Sequence, residues 1–141
     1  MAKRMVVMVA LSALAISGTV AAQEKPKIVM KPPASTDVAD APAMFREYCA
    51  ACHGMEGKGN GPAAAALKTV PADLTKINAR NGGKFPAVKV QRYIEGLDQI
   101  AAHGSRDMPV WGQLFRGLPG GDAGVKIRVQ VLSDYIMKMQ Q

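Results

Sequence analysis

Aromatic residues are scarce in this chain: three Phe, three Tyr and one Trp amount to 5 % of 141 residues. The core is therefore left to small aliphatic side chains or to something that is not protein. Only two cysteines and two histidines occur. Two cysteines exclude a disulfide-stapled scaffold. The charge excess is modest, with 18 Lys and Arg against 11 Asp and Glu, and it gives no nucleic-acid footprint. No segment alternates polar and apolar residues for long, which argues against a sheet. What is present is 48 % hydrophobic residues over a length that suits one globular domain.

The N-terminus is set apart from that domain. Lys3 and Arg4 precede an apolar run from Met5 to Ile16, and Ser17-Gly18-Thr19-Val20-Ala21-Ala22 follows. A positive start, a short apolar stretch and small residues at −3 and −1 describe a secretory signal peptide over residues 1–22, cleaved after Ala22. An uncleaved anchor is the competing reading, because 18 residues at about 1.5 Å rise reach roughly 27 Å, barely a hydrocarbon thickness. Either way the domain is expected outside the inner membrane, in the periplasm. Membrane contact is expected only if this segment is retained. Removing it takes Lys3 and Arg4, so the net charge falls from +7 to +5. Residues 23–38 hold Lys25, Lys27, Lys31, Pro26, Pro32 and Pro33, the composition of an extended tether.

From residue 39 to 141 the pattern is all-α, with loops between helices. Asp40 can cap and Pro42 suits a first turn; Met44, Phe45, Tyr48, Cys49 and Cys52 then fall on one side of a helix. Gly54, Gly57, Gly59 and Gly61 end it in a loop. Pro62 opens an alanine-rich turn to Leu67, and Pro71 to Thr75 reads as another brief turn. After Pro86 a helix places Val90, Tyr93, Ile94 and Leu97 at i, i+3, i+4, i+7 around Gly96. Asp122 is expected to cap the last helix, whose inner stripe is Val125, Val129, Leu132, Ile136 and Met139.

Chemistry concentrates at Cys49-Ala50-Ala51-Cys52-His53. Two thiols three residues apart, followed at once by histidine, form the attachment sequence of a c-type haem. One helical turn presents both sulfurs to the two vinyl groups on one porphyrin edge, as thioethers, and His53 becomes the proximal iron ligand. A Cys49–Cys52 disulfide competes but leaves His53 without a task. A thioredoxin-like pair needs a βαβ context, and zinc needs four ligands where only His103 remains. One covalently bound haem also answers the aromatic shortage.

The second axial ligand is chosen among the remaining methionines and His103. Met30 lies in the tether, Met44 on the attachment helix, and Met55 two residues from His53. Met137 and Met139 belong to the last helix, where packing or surface roles are the default. Met108 stands in Arg106-Asp107-Met108-Pro109-Val110-Trp111-Gly112, where Pro109 stiffens a loop able to bring a thioether to the iron. Met108 is the preferred distal ligand; His103 competes.

The stretch Cys49 to Thr75, with Cys-His-Gly-Met-Glu-Gly-Lys-Gly-Asn-Gly-Pro and Pro-Ala-Asp-Leu-Thr, resembles small bacterial mono-haem class I cytochromes c, as does Met108-Pro109-Val110-Trp111-Gly112. Phe45 with Leu132 and Tyr135 is similar to that family's crossing of first and last helices, although Ala41 stands where a glycine is usual. The resemblance covers roughly residues 40 to 138. It implies the class I cytochrome c fold around one haem, with the Pro62 carbonyl accepting the Nδ1 proton of His53 and Trp111 beside a haem propionate. It further implies electron transfer with iron cycling between ferric and ferrous, not catalysis, since six-coordinate iron has no open position. The implied partners are redox proteins of a respiratory chain: a donor dehydrogenase or reductase and an acceptor oxidase or reductase. Lys58, Lys68, Lys76, Lys84 and Lys89 are candidates for steering an acidic partner. Two other readings stay open, a haem subunit of a periplasmic dehydrogenase and a gas-binding sensor with an open distal site.

Overall fold

The Asp40 carboxylate accepts from the Ala43 amide at 2.9 Å and so starts the first helix. A short acceptor at this position satisfies an amide that has no intrahelical partner, and proline in the first turn lacks that amide altogether. The structure, a computed structural model, describes residues 34–98 and 108–141. The signal segment 1–22, residues 23–33 of the tether and His103 lie outside the described residues. Helix α1 spans Ala41–Tyr48, with Pro42 in its first turn.

The helix expected to continue through Cys52 is broken at Cys49. Helix α2 is a separate turn, Ala50–His53. The Cys49 amide closes α1 on the Phe45 carbonyl at 2.9 Å, and the Cys49 carbonyl accepts from the Cys52 and His53 amides. Two short 3₁₀ turns follow, Ala64–Ala66 and Leu74–Lys76, then α3 (Ile77–Arg80), α4 (Ala87–Glu95), α5 (Trp111–Arg116) and α6 (Gly121–Lys138). Among the described residues there is no strand, and the architecture is all-α as expected.

Helix α6 is the spine, with α1, α4 and α5 packed against it. Its buried stripe is Val125, Val129, Leu132 and Ile136, each under 5 % exposed, with Met139 partly buried at its end. The scarce aromatics are pooled. Phe45 meets Tyr135 with ring centroids 5.4 Å apart, so α1 crosses α6 as the resemblance implied. Tyr48, Trp111 and Phe115 form a second group at 5.0 to 5.4 Å. Five of seven aromatic rings thus serve two contacts around α1, the element that leads into the cysteines.

Three expectations need correction. Helix α4 ends at Glu95, because Gly96 adopts φ +86° and turns the chain; Leu97 is therefore off the apolar stripe and 55 % exposed. Asp122 does not cap α6. Gly120 holds that position, and Asp122 sits inside the first turn, paired with Arg116 at 2.7 Å. Helix α5 lies where a loop was expected. Six residues are too few to display a period, and Gly112 is a weak helix former, so only packing reveals it.

Residues 34–36, assigned to the tether, are fastened to α1. The Tyr48 hydroxyl donates to the Ala34 carbonyl at 2.8 Å, and the Thr36 hydroxyl donates to Tyr48 at 2.8 Å. Among the described residues no helix is long and apolar enough to cross a membrane.

Candidate functional site

One turn of backbone carries the three donor side chains. The Cys52 and His53 amides bond to the Cys49 carbonyl at 3.2 and 2.9 Å, and the Gly54 amide closes on Ala50 at 2.9 Å. Residues three apart on such a turn share a face, which presents both thiols together and places His53 directly after them. Cys49 is buried, while Cys52 and His53 are half-buried. Burial, with a smaller contribution from the neighbouring Cys52, pushes the Cys49 thiol up to about 12. A thiol held neutral in apolar surroundings is a poor redox nucleophile, which disfavours the thioredoxin-like reading.

His53 Nδ1 lies 3.0 Å from the Ala72 carbonyl oxygen. A carbonyl only accepts, so the proton resides on Nδ1 and the Nε2 lone pair is left for a metal. Burial lowers the imidazole's affinity for a second proton, and the Ala72 bond partly opposes that. The ring is thus a neutral, oriented donor, the state a metal-ligating histidine requires.

The acceptor is Ala72 and not Pro62, contrary to the resemblance. The chain around Pro62 is committed elsewhere: the Gly61 amide bonds to Cys52 and the Ala63 amide to Ala51, at 3.1 and 2.9 Å, which satisfies the last carbonyls of α2. The segment 71–74 is drawn under the ring instead. The Gly59 amide bonds to His53 at 2.8 Å and the Leu74 amide to Gly57 at 2.6 Å. Gly59 has φ +80°, and a Cβ there would run into the Pro71 carbonyl. At Gly61 a Cβ would collide with the Ala50 and Ala51 carbonyls. The glycine run is therefore a close-fitting cradle between α2 and the 71–74 segment.

That segment is held from three sides. The Asp73 carboxylate accepts from the Thr75 amide at 2.9 Å and from its hydroxyl at 2.6 Å, and these bonds hold its pKa below the ordinary carboxylate value. Arg80 donates to the Asp73 carbonyl at 2.6 Å. Gln140 donates to the Leu74 carbonyl at 2.7 Å and accepts from the Asn78 amide at 2.9 Å. Neither Ala72 nor Gln140 was singled out from the sequence. A backbone carbonyl has no side-chain signature, and a glutamine 66 residues from its partner has no local one.

Met108 lies three residues before α5 and is 37 % exposed, while Trp111 opens α5 and is buried in the ring group with Tyr48 and Phe115. Met44 is fully buried in the core, and Met55 is 62 % exposed. The five candidate steering lysines are all exposed; Lys58 is paired with Glu56 at 2.6 Å. Among the described residues no group of three or more His, Cys, Asp or Glu converges to hold a bare metal ion. Two thiols on one turn beside a neutral imidazole with its Nδ1 proton engaged do fit a covalently attached haem.

Comparison with known proteins agrees with that fit. The family model described as cytochrome C oxidase, cbb3-type, subunit III matches residues 36–117. Neither a curated protein nor a solved structure matches the chain.

Proposed function

The chain belongs to the family described as cytochrome C oxidase, cbb3-type, subunit III, and from that premise we propose that it is an exported one-electron carrier of a single haem c, which Cys49, Cys52, His53 and Met108 would hold. It is a class I c-type cytochrome, and haem-based electron transfer is its chemistry. When bound, the haem supplies a reversible Fe(III)/Fe(II) couple.

The remaining work is done by the chain's own residues. Cys49 and Cys52 supply the two thioether sulfurs, which prevents loss of the group. His53 presents Nε2 to iron, and its Nδ1 proton on the Ala72 carbonyl fixes the ring and raises its basicity. Met108 supplies a soft sulfur that donates little charge to ferric iron and so favours the ferrous state. With His53 and Met108 both engaged, the group would supply electron transfer and would have no place for a substrate, which supports a carrier. Exposed lysines around the domain steer an acidic redox partner at a salt-dependent rate. Residues 1–22 direct the chain to the periplasm, and the Pro/Lys-rich residues 23–33 separate the domain from that segment.

The observation that supports this reading most is the Cys49–His53 turn with its imidazole already oriented by Ala72. A pyridine haemochrome assay on the purified protein tests haem type and stoichiometry together. The ferric protein should show the long-wavelength band of iron–sulfur ligation and should not bind carbon monoxide when reduced. Met108→Ala should abolish the band and admit carbon monoxide. A band that survives in Met108→Ala but disappears in His103→Ala or Met55→Ala overturns the distal assignment.

A second reading is favoured by the family's description as an oxidase subunit: the domain acts as the haem subunit of a respiratory complex. Native electrophoresis of mildly solubilised membranes, stained for haem, separates the two. A free carrier runs at its own small mass; a subunit runs with larger partners.

A further inference from the structure

Gln140, two residues past the end of α6, makes three side-chain hydrogen bonds, more than the end of a helix needs. Its amide nitrogen donates to the Leu74 carbonyl at 2.7 Å and to the Ile136 carbonyl at 2.8 Å, and its amide oxygen accepts from the Asn78 amide at 2.9 Å. Next to it the Gln141 amide bonds to the Thr75 carbonyl at 3.1 Å. The end of α6 therefore clasps the segment 74–78 by its backbone. Two residues before that clasp stands Ala72, whose carbonyl holds His53 Nδ1. Between them the Asp73 side chain caps the 3₁₀ turn at Leu74–Lys76.

The consequence is mechanical. A backbone carbonyl can be moved only by moving its peptide, and the peptides on one side of Ala72 are fixed by Gln140. On that same side the Leu74 amide bonds to the Gly57 carbonyl, and on the other side the Pro71 carbonyl lies tight against Gly59. We infer that Gln140 is a positioning residue for the proximal imidazole: it holds the Ala72 carbonyl against His53 Nδ1 and so sets the reduction potential of the haem. This rests on the haem reading above. A well-held carbonyl draws on the Nδ1 proton, makes the imidazole a stronger donor and favours ferric iron; a loosened one does the opposite.

The test is made on the full-length holoprotein with Gln140→Met, which keeps the volume and removes every donor and acceptor, and with Gln140→Ala as the second variant. Two quantities are read: the midpoint potential by spectroelectrochemistry, and the exchange rate of the His53 Nδ1 proton by NMR. The ferrous-to-ferric ratio at a fixed poise should rise by about threefold to tenfold, tenfold corresponding to about 59 mV for one electron. The Nδ1 proton should exchange about tenfold faster, a change of the size expected when a ligand's hydrogen-bond partner is disturbed. Gln130→Ala, which removes an exposed tie of α6 to α4 through Gln91, should move neither. Unchanged potential and unchanged exchange in both Gln140 variants, with normal haem content, overturn the inference and leave the haem reading standing. Absence of covalent haem from the parent protein overturns both.

Discussion

His53 Nδ1 and the carbonyl oxygen of Ala72 stand 3.0 Å apart, although 19 residues separate them in sequence. Both partners are the chain's own atoms, a side-chain nitrogen and a main-chain oxygen. The bond fixes the tautomer and direction of the imidazole.

Because the acceptor is a main-chain atom reached through the glycine loop, the loop matters more than the proline beside it. Pro62→Ala should leave the midpoint potential and the His53 Nδ1 proton resonance unchanged, since Pro62 is exposed and its neighbours bond to α2. Gly59→Ala should lower the yield of covalent haem and loosen the Nδ1 proton, because its Cβ would strike the Pro71 carbonyl at a left-handed backbone position. Haemochrome yield and proton NMR of both variants decide the matter. A shift in Pro62→Ala with none in Gly59→Ala would restore the acceptor implied by the resemblance.

The crossing of α1 and α6 should carry much of the holoprotein's stability. Phe45 is 1 % exposed and meets Tyr135 at 5.4 Å, so Phe45→Ala should cost about 3–5 kcal/mol, the usual range for an aromatic removed from a core. Leu97, read from its period as part of the buried stripe, is 55 % exposed. Leu97→Ser should lie within about 0.5 kcal/mol of the parent. Denaturant titration of the haem-loaded proteins measures both.

These cases also show what the residues disclose unaided. Side-chain chemistry at fixed spacing was readable: the paired thiols with His53, the Asp40 cap with Pro42, and the stripe from Val125 to Ile136. Features that depend on where the backbone meets itself were not. Ala72 is chosen by a carbonyl every residue possesses, and α5 is too short to show a period. The break at Cys49 has no Gly or Pro to mark it. The Gly120–Gly121 pair, both at positive φ, displaced an acidic cap whose side chain found Arg116 instead. Local chemistry thus points to the site, and long-range packing decides which atoms complete it.

Acid should weaken the segment beneath His53 through Asp73. Its carboxylate pKa is depressed below the ordinary 3.8, first by the Thr75 hydroxyl bond, while partial desolvation opposes the shift. A depressed folded pKa means stability that is fully present above the unfolded value and lost as pH falls through the folded one. Parent and Asp73→Asn should therefore differ in Tm at neutral pH, the parent being higher, and converge below about pH 4. Thermal melts of holoprotein across pH 7 to 3 follow this. A gap that stays constant in acid would show that the cap acts without its charge.

The scarcity of aromatic residues leads to the last expectation. Five of the seven rings are spent on two contact groups around α1, and α2 is a single turn that cannot hold itself together in water. If the macrocycle buries about 400 Å² of apolar surface, it contributes on the order of 10 kcal/mol. That is comparable to the whole net stability of a small domain. Cys49→Ala/Cys52→Ala chain purified free of haem should therefore lack a cooperative thermal transition in far-ultraviolet circular dichroism. A sharp transition with native helix content in that protein would mean that the side chains alone fill the interior, and the explanation offered for the missing aromatics would fall.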